Sequence, residues 1–412
     1  MKKIIYIILS LSFILLHNCK EPYEAETNTF EEALVVESTI TNENKRQKVK
    51  LSRVIRLEEN GINPEKNAQV WIEDSNNNRY DFLETTPGIY LSENEFMAIL
   101  NIEYKLYINT QNGNSYQSRG VNLTVESPFE ELYALKETVN EKLGIQVYID
   151  NTNNNTAKYF RYEFVETYKI ITPFWITNEI DVANVVYNPT AGLGVPDYTY
   201  DIITTPRTEE KRICYASNTH KKILQTNASN NLENNIIRFP IRFIEKEDAI
   251  IRNRYSILVK QYVQSYDSYN FYKTLNDLGS VTSLISETQT GFVQGNIHAD
   301  TKEKIIGFFD VSSKSEKRIY FNYTDFDLTK PKYQYECKTD TLDYDIFEIG
   351  RNGEGGDRTK LIEKITGNFP EHYPEKYQLV NQVNLHTYIM ITPRCGDCTI
   401  FSSNTRPDFW ID

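Results

Sequence analysis

The feature that most constrains this chain is a side-chain period of two that begins at Leu34 and recurs downstream. In "IEYKLYINT", Ile102, Tyr104, Leu106 and Ile108 fall on one face, with polar residues mostly between them. Successive side chains of an extended backbone point to opposite sides, so this pattern makes a half-buried strand and cannot make an amphipathic helix. Asn112-Gly113 follows and supplies the residue types a tight hairpin turn requires. "VNLTV" then alternates Val121, Leu123 and Val125, while "AQVWIED" and "NRYDFLE" flank the polar turn Ser75-Asn76-Asn77-Asn78. About seven short strands at turn spacing over residues 32–126 predict an immunoglobulin-like β-sandwich, with Pro128 near its boundary.

Residues 127–412 read as a larger β-rich domain. Ile145, Val147 and Ile149 alternate in "GIQVYID", and Phe160, Tyr162 and Phe164 are in phase in "YFRYEFVETYKI". Tyr255, Ile257, Val259 and Gln261 share a face of a further strand. One helix is expected, capped by Asp267, with Phe271, Leu275 and Leu278 on its inner side and Gly279 as its stop. Residues 173–212 carry no clear period and are expected to form a long excursion or an insertion.

The first residues address location. "MKKIIYIILSLSFILLHNC" has a basic start and an apolar run of thirteen residues, Ile4 to Leu16. That is short for a membrane-spanning helix and suits a signal-peptide core over residues 1–18. Leu16-His17-Asn18-Cys19 resembles the lipobox of bacterial lipoproteins, with His17 and Asn18 in place of the common small residues. The resemblance implies that Cys19 is the lipidated first residue of the mature chain. Residues 19–31 read as a flexible acidic tether, similar to the surface-export signal of Bacteroidota lipoproteins. The expected location is the outer membrane, lipid-anchored and facing the outside. The formal charge is −12, and a leader holding Lys2 and Lys3 makes the mature chain more acidic still. Such a field repels phosphate backbones, so no nucleic-acid partner is expected.

Motifs for chemistry are sparse. The chain has no G-x-S-x-G, H-E-x-x-H or P-loop. "RNGEGGDR" is glycine-rich but lacks the Lys-Ser/Thr of a phosphate cradle and reads as a flexible loop. The mature histidines, His220, His298, His372 and His386, show no metal-ligand spacing. Paired acids such as Glu31-Glu32 and Glu130-Glu131 read as local charge. No catalytic, cofactor-binding or metal residue is therefore expected. Glycosidase carboxylates converge from distant positions, which leaves a surface hydrolase of glycans or peptides as an alternative. "DTL" resembles a three-residue O-glycosylation signal, with Thr341 as acceptor.

With Cys19 lipidated, Cys214, Cys337, Cys395 and Cys398 remain, an even set suited to disulfides outside the cytoplasm. Their three possible pairings stay open. A redox Cys-x-x-Cys needs a helix that starts at the pair, whereas "TIFSSNTRPDFW" after Cys398 has no helical period. Zinc needs two further ligands nearby. The two cysteines read as staples that pin an irregular C-terminal segment, with Phe409 and Trp410 buried against the larger domain.

"PGIYLS", "YKLYINTQNGNSYQS", "YFRYEFVETYKI", Val293 to Phe321 and the closing "CGDCTIFSSNTRPDFW" together resemble one family, the Bacteroidota lipoproteins known as domain of unknown function 4249. Tyr162 stands where members often carry a bulkier aromatic residue. The resemblance carries over no catalytic residues. It implies a non-enzymatic accessory or substrate-capturing partner of a TonB-dependent transporter. A structural or adhesive surface lipoprotein is a further alternative.

Overall fold

The computed structural model describes residues 33–54, 63–152, 156–189, 196–220, 222–229, 235–279, 295–346, 356–367 and 376–412. The signal peptide, the tether with Cys19, and His372 lie outside the described residues. The fold is mainly β, with several sheets, a few helices and two disulfides.

The early alternating segments form β1 (Ala33–Thr41), β2 (Lys48–Arg53), β3 (Asn63–Pro64), β4 (Gln69–Asp74), β5 (Arg79–Thr86), β6 (Ile89–Ser92), β7 (Glu103–Asn109), β8 (Ser115–Ser118) and β9 (Val121–Asn122). In β7, Tyr104, Leu106 and Ile108 are fully buried and the residues between them are half-buried, as the period of two requires. Gly113 closes the β7–β8 turn at φ 88°.

Two further strands of this sheet come from far downstream. β19 (Ile297–Ala299) pairs with β8, and β20 (Lys304–Ser312) runs parallel to β1. The result is an eleven-stranded ladder folded over a single core, a sandwich-like unit. Its end strands meet through Asn296, whose Nδ2 donates to the Phe309 carbonyl at 2.8 Å and whose Oδ1 accepts from the Phe309 amide at 2.8 Å. Glycine makes this closure possible. A Cβ on Gly295 would fall on the Gly307 carbonyl oxygen, and one on Gly307 would come within 2.4 Å of the Val36 carbonyl oxygen. Gly307→Ala is therefore expected to lower stability by about 2–3 kcal/mol through backbone displacement at the β1–β20 seam. Urea denaturation checks this, and an unchanged midpoint would refute it.

The second unit stacks two sheets. One joins β10 (Glu131–Val139), β11 (Lys142–Asn151) and β17 (Ile236–Glu245). The other orders β15 (Ile213–Thr219), β12 (Tyr159–Ile171), β18 (Tyr255–Gln264) and β21 (Lys314–Phe321), with β16 (Leu224–Asn227) also on β12. Ile145, Val147 and Ile149 from one sheet meet Phe160, Tyr162, Phe164, Ile257 and Val259 from the other. Tyr162 is fully buried, and among the described residues its hydroxyl has no hydrogen-bond partner.

The expected helix is α1 (Tyr266–Gly279). Its cap is not Asp267, which sits inside the first turn. Ser265 takes that role, its Oγ accepting from the Ser268 amide at 3.1 Å. A serine directly before a helical run caps as well as aspartate does, so composition alone could not choose between them. α1 covers a buried polar cluster where the two units join. Asp310 Oδ2 accepts from Ser268 Oγ and Ser312 Oγ, each at 2.9 Å, while its Oδ1 has no hydrogen-bond partner among the described residues.

The period-free excursion is regular after all. Residues 178–189 and 196–206 form β13 (Asn178–Pro189) and β14 (Pro196–Pro206), an antiparallel pair with a bulge between Ala183 and Val186. Asn184 there has φ 49°, and the bulge shifts the phase of the side chains, which erases the alternation. This hairpin does not join the second unit's sheets. It packs on β22 (Thr339–Asp343), β23 (Gln378–Gln382), β24 (Thr387–Ile391) and α2 (Asp357–Thr366), whose Leu361 and Ile365 share a core with Ile180, Leu342, Leu379 and Met390. α2 is a further departure from expectation. The "RNGEGGDR" stretch, of which only Gly356 onward lies within the described residues, leads into a helix with Gly356 as its N-cap. Among the described residues, no helix is long and apolar enough to cross a membrane.

Candidate functional site

The β13–β14 hairpin, β22–β24 and α2 form a third unit, and two disulfides fasten the segment that follows it. Cys214 on β15 bonds Cys398, and Cys337 bonds Cys395. The neighbouring cysteines of "CGDC" thus take different partners and are not joined to each other. The segment around them is not wholly irregular, as the missing helical period implied. α3 (Pro393–Gly396) is one helical turn holding Cys395, and Cys398–Ile400 make a 3-10 turn. Runs this short carry no readable period. The Cys398 amide bonds the Lys211 carbonyl at 2.9 Å, and the Phe174 amide bonds the Cys395 carbonyl at 3.1 Å. The closing segment is therefore fastened to both ends of the excursion. Trp410 is buried between Tyr215 and Tyr320, with ring centroids 5.0 and 6.0 Å away. Phe409, expected inside, is 40% exposed. Its ring lies under the Arg318 guanidinium at 3.6 Å, a contact that leaves an edge in water.

Between the hairpin and this turn opens a cleft of about 410 Å³. The hairpin side contributes Glu179, Ile180, Arg207 and Lys211. β23 and the residues before it contribute Lys376, Tyr377, Gln378 and Leu379, and the stapled turn contributes Pro393, Asp397 and Ile400. An Arg207 Nη donates to Gln378 Oε1, while its Nε is buried without an acceptor among the described residues. Lys211 Nζ lies 3.9 Å from Asp397, and Lys376 Nζ lies 3.9 Å from Asp181. Asp397 is itself buried, and its Oδ1 accepts from the Thr399 amide at 2.8 Å and from the Thr399 hydroxyl. It serves as the cap of its own turn. Lys364, only 2% exposed, bonds Asp340 at 2.6 Å and lies 3.9 Å from the Tyr377 ring centroid, holding that ring in place.

The residues singled out from sequence lie elsewhere. Thr341 is exposed on β22, an edge strand. His220 stacks on Phe164 at 4.4 Å, and burial lowers its pKa. His298 accepts from Arg119 Nε at 3.2 Å, and His386 lies 3.2 Å from Asp345. Among the described residues no three His, Cys, Asp or Glu side chains gather as a metal site. Sequence reading missed Glu179, Arg207, Lys211, Lys376 and Tyr377. They sit in segments more than 150 residues apart, and no motif links them.

The fold and the site define a mainly β protein with a cleft beside two disulfides. The chain belongs to the family described as Domain of unknown function (DUF4249), whose model matches residues 20–318. The match includes the hairpin side of the cleft and stops before β23 and the stapled turn. No curated protein matches the chain.

Proposed function

We propose that this protein is a non-enzymatic lipoprotein, anchored through Cys19 at the outer-membrane surface, that captures a substrate for a TonB-dependent transporter. The observation that carries this reading is the stapled, cation-lined cleft of about 410 Å³, a size suited to a small ligand. Among the described residues its lining holds no serine, histidine or free thiol, and Asp397 spends its buried carboxylate on its own turn. These features favour binding over the hydrolase alternative, which needs a general acid with a second free carboxylate. The lipobox resemblance supports the anchor, and the acidic tether supports the outward address. Exposure of Thr341 is compatible with O-glycosylation there.

Purification of the tagged chain in mild detergent tests the partnership. A TonB-dependent barrel is expected to copurify, and deletion of the gene is expected to impair uptake of one nutrient. Recovery without a barrel, together with normal uptake, would refute the reading. An attachment defect with intact transport would favour the adhesive alternative.

A further inference from the structure

We infer that the cleft recognises the free carboxyl end of a short peptide whose last side chain is apolar; this rests on reading the cleft as the ligand site. The first reason is charge. Arg207, Lys211 and Lys376 line one cavity, and among the described residues none has a carboxylate oxygen within hydrogen-bonding distance. Lys211 and Lys376 each stand 3.9 Å from an aspartate oxygen, and Glu179 and Asp397 share the lining. Three cations thus face two carboxylates, and the surplus positive charge centres on Arg207, which is bonded to the neutral Gln378. The second reason is shape. A guanidinium presents a planar fork that matches a carboxylate, and Arg207 has donors to spare beyond its bond to Gln378.

The remaining lining narrows the class. Ile180 and Leu379 back the cleft from the third core with little surface of their own, so the apolar surface offered to a ligand comes chiefly from the exposed Ile400 and the Tyr377 ring. Glu179 has no cation within 4 Å among the described residues and can accept from an amide N–H or an α-ammonium group. Cation, apolar wall and acceptor correspond to the carboxylate, side chain and N–H of a peptide end. Inorganic phosphate would use the cations but leave the apolar wall bare. A sugar acid would set hydroxyls against it.

Calorimetric titration of the detergent-solubilised full-length protein with alanyl-alanyl-phenylalanine, and with its carboxy-terminal amide, tests the inference. The acid is expected to bind, with the amide weaker by roughly tenfold or more, since a charge-assisted pair is lost. Arg207→Gln and, separately, Lys376→Met are expected to weaken the acid with unchanged melting. Arg79→Gln, on the first unit, is expected to leave it as in the wild type. Equal binding of acid and amide, full affinity in both cleft variants, or tighter binding of galacturonate or phosphate would overturn the inference. If the tripeptide fails to bind while a barrel still copurifies, the peptide class is wrong and the capture reading stands. Loss of the barrel alone would remove the transporter partnership and leave the ligand class intact.

Discussion

Replacing both cysteines of the Cys214–Cys398 bond by serine is expected to lower stability by about 5 kcal/mol, the value the chain-entropy model assigns to a loop of 184 residues. The same substitution at Cys337 and Cys395, which close 58 residues, is expected to cost about 4 kcal/mol. The reason is topological. Cys214 lies on β15, in the second unit's sheet, and is fully buried with Cys398 among Ile170, Tyr168, Tyr333 and Phe401. Without the bond, the closing segment, which begins with the turn Pro393–Ile400, keeps backbone bonds such as Cys398 to Lys211, Phe174 to Cys395 and Tyr215 to Ser403 to hold it in place. A denaturant titration of each serine pair measures the loss. The cleft shares this turn, so ligand affinity is expected to fall along with stability. Unchanged midpoints in both pairs would show that packing, not cross-linking, holds the turn.

Arg161→Ala is expected to lower stability by about 3–5 kcal/mol, in the range for removing one member of a buried charged group. Arg161 is buried on β12, where its guanidinium stacks 4.5 Å from the Tyr262 ring and 4.7 Å from the Tyr272 ring and bonds Glu163 at 2.5 Å. Burial works against its charge, and Tyr272, Glu163 and Asp310 outweigh it. Its removal leaves Asp310 fully buried without its cation, with hydrogen bonds such as those from Ser268 and Ser312 left to offset the charge. Burial already raises the Asp310 pKa, with Arg161 and the Ser312 and Ser268 hydroxyls pulling it back in part.

That shift has a sign. A carboxyl whose folded pKa lies above its unfolded value is deprotonated first in the unfolded chain, so stability falls as pH rises through that window. The window starts near the ordinary aspartate value of about 3.9 and extends upward. Glu43 moves the other way. Burial opposes its charge, but bonds to Lys314 and Lys45 hold its pKa down at about 2, and its contribution disappears as pH falls towards that value. Comparison with Asp310→Asn isolates the first effect, because Glu43 is common to both proteins. The wild type is expected to lose stability relative to Asp310→Asn as pH rises above about 4. Parallel profiles would show that Asp310 does not titrate there.

The strands in which every second residue is apolar, such as β7, β11, β12 and β18, were legible in the chain as written, but only in β7 did the alternation also mark the buried face. β11, β12 and β18 bury residues of their other face as well, Gln146, Arg161 and Ser256 among them. Four cysteines outside the tether also announced themselves as staples. The cleft was not legible, because each of its side chains is an ordinary Arg, Lys, Tyr or Glu in its own segment. The bulge at Asn184 hid one wall by breaking the phase, and the one-turn helix at Cys395 was too short to show a period.

What the sequence determined by itself is local: backbone extension, the inner face of each strand, and the turns at Asn and Gly, all set by neighbours a few residues away. Tertiary structure alone decided the rest. It brought β20 beside β1, paired Cys214 with Cys398 and Cys337 with Cys395, and laid the excursion on the closing segment to make a third core. The physical reason is that alternation says which face seeks a core but not which core. That choice depends on closing loops of many residues against the apolar surface and backbone bonds gained, a balance struck by the whole chain.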